Sequence, residues 1–115
     1  MPVTSRYIFI AAMDVPAERE ALFNEIYDQE HIPALLAVPG VNGVSRFRGE
    51  SFAWVIGNEE RSFSHAGPRY STHWEIDHPA VLISRQWVAG REFGRWPIEI
   101  EPYLRNIRLA LHRRL

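Results

Sequence analysis

The sequence contains neither cysteine nor lysine. Without cysteine there is no disulfide framework, no thiolate nucleophile and no Cys-based metal site. Without lysine there is no amine for Schiff-base chemistry. All 13 basic residues are arginines, and 14 acidic residues balance them to a formal net charge of −1. That balance gives no electrostatic case for a nucleic-acid partner. No apolar run approaches the ~18 residues of a membrane span. The short run YIFIAAM is followed at once by Asp14 and does not read as a signal peptide. A soluble, cytoplasmic chain with no membrane partner is the expectation.

What is present supports one domain over residues 1–115, with 46% hydrophobic and 23% charged residues. A chain of this size buries roughly two-thirds of the surface it exposes when unfolded. Tyr7 to Ala12 is a short run of β-formers and predicts a strand covered on both faces. Asp14 and Pro16 predict a helix start, with Glu18 near its positive end. Leu22 and Ile26 give that helix an apolar stripe as far as Gln29, and Pro33 predicts a break that leaves His31 at the helix end. Val41 to Glu50 predicts a second strand, continued by Ser51 to Ile56 past a kink at Gly49. Gly57 to Pro68 reads as a loop or an exposed hairpin tip. Arg69 to Asp77 alternates strictly, with Tyr70, Thr72, Trp74 and Ile76 on one face. Ala80 to Phe93 predicts a second helix ending near Gly94, and Ile100 to Leu115 a last strand with a basic tail.

The order is β-α-β-β-α-β, the ferredoxin-like α+β arrangement: an antiparallel sheet with both helices on one face. The other face must then meet water, a ligand or a second sheet. Four tryptophans are generous for one small core. Pairing two such sheets across a two-fold axis would bury the second face, so a homodimer is expected.

Two segments resemble a known family. They are FNEIYDQEHIPALLAVPGVNGVSRFR, from Phe23 to Arg48, and YSTHWEIDHPAVLISRQWVAGREFGRW, from Tyr70 to Trp96. They resemble the EthD-like branch of the dimeric α+β-barrel superfamily. The likeness lies in an aromatic-rich first helix, in Glu30, His31 and Pro33, in the corner Val38-Pro39-Gly40, and in Glu75, Asp77, Pro79 and Trp87. The resemblance implies a dimeric α+β barrel and a functional histidine at His31. It leaves the chemistry wide, since that superfamily includes cofactor-free oxygenases, decarboxylases, cyclases, lactone isomerases, haem-binding enzymes and proteins of no known reaction.

His31 is the first candidate catalytic residue, because an imidazole can move protons near neutrality. The competing role is a cap at the helix C-terminus. His73 and Glu75 share one face of a strand at i, i+2 spacing, so they form an acid–base pair if that face lines a cavity, and a solvated or dimer-facing pair if it does not. Arg46 and Arg48 also share a face, and a cavity-facing Arg46 would bind a carboxylate or phenolate. Tyr7 and Tyr27 offer hydroxyls to a substrate or rings to the core. Trp87 is a candidate substrate-binding ring, and it and Trp96 alternatively anchor the core or dimer. The five histidines show no HxH, HxxxH or HExxH spacing, so no metal site is expected.

Two functions fit. One is a cofactor-independent enzyme acting on a small aromatic or lactone-like compound through His-based acid–base chemistry of lyase, isomerase, cyclase or decarboxylase type. The other is a non-catalytic ligand-binding or structural homodimer. A cofactor-free oxygenase is a further alternative, as is a haem-linked one, since one axial His can suffice for haem.

Overall fold

The computed structural model describes residues 3–115. Four antiparallel strands form the main sheet: β1 (Tyr7–Asp14), β2 (Val41–Arg48), β5 (Tyr70–Ile76) and β6 (Arg105–Arg113), in the order β2-β5-β1-β6. The helices are α1 (Glu20–Ile26), α2 (Ile32–Leu36) and α3 (Arg85–Arg91). The two β-α-β halves interleave, which is the ferredoxin-like arrangement.

β1 is covered less evenly than its apolar run predicts. Ala11 and Met13 are buried on the helix face, whereas Ile8, Ile10 and Ala12 on the other face are only half-buried. β5 keeps its alternation: Tyr70, Thr72, Trp74 and Ile76 are buried, and Ser71, His73 and Glu75 are half-buried. Trp74, Phe23, Ile26 and Ile100 fill the layer between sheet and helices.

Several expected boundaries move. Asp14 does not cap a helix. It ends β1, where its carboxylate accepts from the Arg69 N–H at 2.6 Å and from Asn106 Nδ2 at 2.8 Å. The Arg69 bond first, and then the Asn106 bond, hold that carboxyl below its usual range. Pro33 does not break the first helix. Tyr27–His31 widens into a π-helical turn, in which the Ile32 N–H bonds Tyr27 O, and α2 continues beyond it. The displaced carbonyls let Pro33, which has no N–H to donate, sit inside the helix. The second helix is split by Ser84, which caps α3 by accepting from the Trp87 N–H at 3.1 Å. Before β6 comes another π turn, Trp96–Ile100, instead of the start of the last strand.

The stretch after Gly49 does not continue β2. It forms β3 (Phe52–Ile56), which pairs only with β4 (Glu59–Phe63) in a separate hairpin. Gly57 and Asn58 both have positive φ, as a tight two-residue hairpin turn requires. The hairpin projects from the body, with Trp54 59% exposed. It helps to account for a radius of gyration of 15.9 Å, against about 13 Å for a compact chain of this length.

Gly40, at φ +90°, turns the chain from α2 into β2, and a Cβ there would sit 2.6 Å from Val81 Cγ2. Gly40→Ala is therefore expected to cost about 2 kcal/mol or more, through backbone strain and crowding together. A thermal melt checks this; an unchanged midpoint would mean that the corner relaxes freely.

Candidate active site

The helices and the sheet leave a cavity of about 490 Å³ between them. Its walls come from β1 (Phe9, Ala11, Met13), β5 (Trp74), α3 (Trp87) and the two π turns (Tyr27, His31, Trp96). Its rim includes Ile107 and Leu109 of β6, which remain 53% and 64% exposed. The wall is mainly aromatic and aliphatic, as in sites for apolar small molecules.

The two π turns face each other across this space. His31 stacks on Trp96 with ring centroids 3.9 Å apart and planes 18° from parallel. Tyr27 meets both rings edge-on at 5.0 Å. An exposed clasp helps to hold the turns in register: Glu30 accepts from the Arg95 N–H at 2.9 Å and from Arg95 Nε at 2.7 Å. Arg95 also draws in Glu25 at 3.0 Å. These bonds from Arg95 keep the Glu30 carboxyl below its usual range. Glu30 is thus paired with Arg95 rather than free beside His31.

His31 is 5% exposed, and its Nδ1 has no hydrogen-bond partner among the described residues. Burial, and secondarily the positive charge of Arg91, push its pKa down from 6.5 to about 3. The ring is therefore neutral at physiological pH, with one nitrogen a hydrogen-bond donor and the other an acceptor. It lies at the end of the π turn with α2 running on from it, so it is not a C-terminal cap. Tyr27 is also neutral, since burial raises its pKa to about 12. Its hydroxyl oxygen accepts from Thr72 Oγ1 at 2.7 Å.

Of the residues expected at the site, the structure brings His31, Tyr27 and Trp87 to the cavity wall. Trp87 also meets Trp74 edge-on at 5.4 Å. His73 and Glu75 lie on the opposite face of β5 and cannot work with His31. His73 instead packs on Phe47 at 4.6 Å, and burial lowers its pKa. Arg46 is on the helix face but behind Tyr27, outside the cavity. It donates to Asp28 at 2.8 Å and Asn24 at 2.6 Å and lies 4.5 Å from the centre of the Tyr27 ring, so it fastens α1 to the sheet. Tyr7 packs against the His78 ring at 6.3 Å, away from the cavity.

Two charged cavity residues escape the sequence reading. Arg91 follows Trp87 by four residues on α3, so the two share a helix face, and that spacing was the available signal. Glu101 carries no such signal. It accepts from Trp96 Nε1 at 3.0 Å and pairs with Arg91 Nη2 at 3.4 Å. Among the described residues, no three His, Asp or Glu side chains converge to hold a metal ion. Nor is any helix there long and apolar enough to cross a membrane.

This architecture recurs among solved proteins. An EthD (ethyl tert-butyl ether D) family protein from Bacillus halodurans superposes with a TM-score of 0.61 at 14% identity, covering 96% of this chain and 99% of its own. HapK from Hahella chejuensis gives 0.58 at 11% identity, over 95% and 92%. A protein named as an antibiotic biosynthesis monooxygenase from Bordetella bronchiseptica gives 0.55 at 16% identity, over 97% and 99%. No family model and no curated protein sequence matches the chain. The chain therefore has the EthD-like, ferredoxin-like α+β fold, and the likeness establishes that fold alone.

Proposed function

We propose that this protein is a cofactor-independent enzyme that binds a small, largely apolar aromatic or lactone-like compound and moves a proton on it with His31. The observation that carries the proposal is a buried imidazole on the wall of an aromatic cavity, whose Nδ1 has no hydrogen-bond partner among the described residues. A buried polar atom left unpaired costs free energy, so its presence here calls for more than a packing role. The neutral ring takes a proton from a carbon or hydroxyl of the bound compound. The bonding pair stays on the substrate as an enolate or phenolate. The proton is then returned at another position, or to a leaving group, which gives isomerase or lyase chemistry. Tyr27 and Trp87 shape the aromatic slot. Oxygen addition to an activated aromatic would use the same cavity, and one structural neighbour is named as a monooxygenase.

The chain would work as a homodimer. The helices cover one sheet face, and the other carries Ile8, Ile10 and Phe47, of which Phe47 is 51% exposed. Light scattering on the eluting protein tests the stoichiometry.

A thermal-shift screen against aromatic acids, phenols, quinones and lactones tests the cavity. A true ligand at a hundredfold excess over its dissociation constant adds about 2.7 kcal/mol of stability. With a hit converted by the enzyme, His31→Ala is expected to lower turnover about 10²–10⁴-fold while the protein stays folded. Undiminished turnover in that variant would leave His31 a packing residue and favour a ligand-binding role for the scaffold.

A further inference from the structure

We infer that the ligand of this cavity is a planar aromatic anion, a carboxylate or phenolate, and that Arg91 selects it. The inference rests on the reading of the cavity as a ligand site and adds the charge of its occupant. Among the described residues, Arg91 is the one arginine lining the cavity. It projects from the same face of α3 as Trp87, so an aromatic ring against Trp87 would place a substituent near the guanidinium.

Arg91 is only lightly committed. Among the described residues its one side-chain polar contact is a 3.4 Å approach of Nη2 to Glu101, with the side chains 50% and 42% exposed. A half-exposed pair at that distance holds weakly. The other guanidinium nitrogens have no partner among the described residues, and the planar fork suits two oxygens of a carboxylate. Glu101 does not have to leave for such a ligand to bind, because Trp96 Nε1 holds it independently at 3.0 Å. The floor of the cavity is uncharged: His31 and Tyr27 are both neutral. An aromatic body therefore fits those rings, and its anionic end would meet Arg91 at the rim, where Glu101 offsets part of the guanidinium charge.

The same ligand would tune the base. The charge of Arg91 opposes protonation of His31. An anion on Arg91 offsets that charge, so binding makes the imidazole a stronger acceptor when substrate is present.

The test is calorimetric titration of the full chain with naphthoate and with its neutral isostere naphthamide. Wild type is expected to bind naphthoate about tenfold more tightly than the amide, as one charge-assisted contact allows. Arg91→Gln should bring the two affinities together by weakening naphthoate and sparing naphthamide, and Arg91→Lys should keep part of the preference. Equal binding of the two ligands by wild type, or a preference that survives in Arg91→Gln, overturns the assignment of Arg91 while leaving the cavity as a ligand site. Binding of neither ligand overturns both.

Discussion

Replacing Trp96 by alanine should remove about 3–5 kcal/mol of folding stability, the usual cost of truncating a buried large aromatic. Trp96 is 3% exposed, and it stacks on His31, meets Tyr27 edge-on and donates to Glu101. Its loss would open one side of the cavity and unpair the two π turns. Domains of this size have only about 5–15 kcal/mol in total, so the variant should be close to unfolding at physiological temperature. Urea denaturation at neutral pH reads the change from the midpoint at unchanged slope. Trp96→Phe should lose much less, about 1 kcal/mol, because a ring remains to stack while the bond to Glu101 goes. A loss below 1 kcal/mol in the alanine variant would show that the π turns are held chiefly by the Glu30–Arg95 clasp.

The second large effect is on acid stability. The folded His31 ring resists protonation down to about 3, whereas the unfolded ring takes a proton near 6.5. Below 6.5 the unfolded chain therefore binds more protons, and stability falls as the pH falls. The contribution is intact above 6.5 and is lost progressively as the pH drops from there toward about 3. Between pH 7 and pH 4.5 the loss amounts to about 2–3 kcal/mol from this group. His73 shifts in the same direction, and paired carboxylates such as Glu30 also lose stability in acid, so the slope of wild type alone would not isolate His31. His31→Phe keeps a flat ring against Trp96 and has no proton to gain. Urea midpoints of both proteins at the two pH values should show wild type losing about 2–3 kcal/mol more than the variant. Equal losses would mean that the ring is hydrated and titrates normally in the fold.

Much of the fold was legible along the chain. The strict alternation of β5 gave both its position and its faces, because a strand with one buried side admits only one register. His31 was legible as a candidate through its type and its neighbourhood, and the structure places it on the cavity wall. The helix interruptions were misplaced for a local reason. Pro33 removes a hydrogen bond and normally ends a helix, yet a wider turn absorbs it at little cost when packing holds the segment on both sides. β3 was read as a continuation of β2, since β-formers on either side of Gly49 do not reveal a change of partner, and β4 fell within the stretch read as a loop or an exposed hairpin tip.

The site divides along the same line. Local pattern can tell that His73 and Glu75 share a face, but not which face meets the helices. That depends on how β5 inserts between β1 and β2. Arg46 shares the helix face with the cavity residues yet ends behind Tyr27, because Asp28 and Asn24 of the first helical segment capture its guanidinium. Stacking of His31 on Trp96 joins residues 65 positions apart through two π turns whose contact no local propensity encodes.

The sequence by itself determined the class of fold, the absence of thiol and amine chemistry, and the presence of an aromatic core with a histidine in its first helical segment. Those follow from residue type and short-range period. Only the tertiary structure decided that the imidazole is buried and neutral, that Arg91 and Glu101 stand at the cavity and that His73 does not. Burial, charge and proximity arise when distant segments pack together, and the order of residues along the chain does not contain those distances.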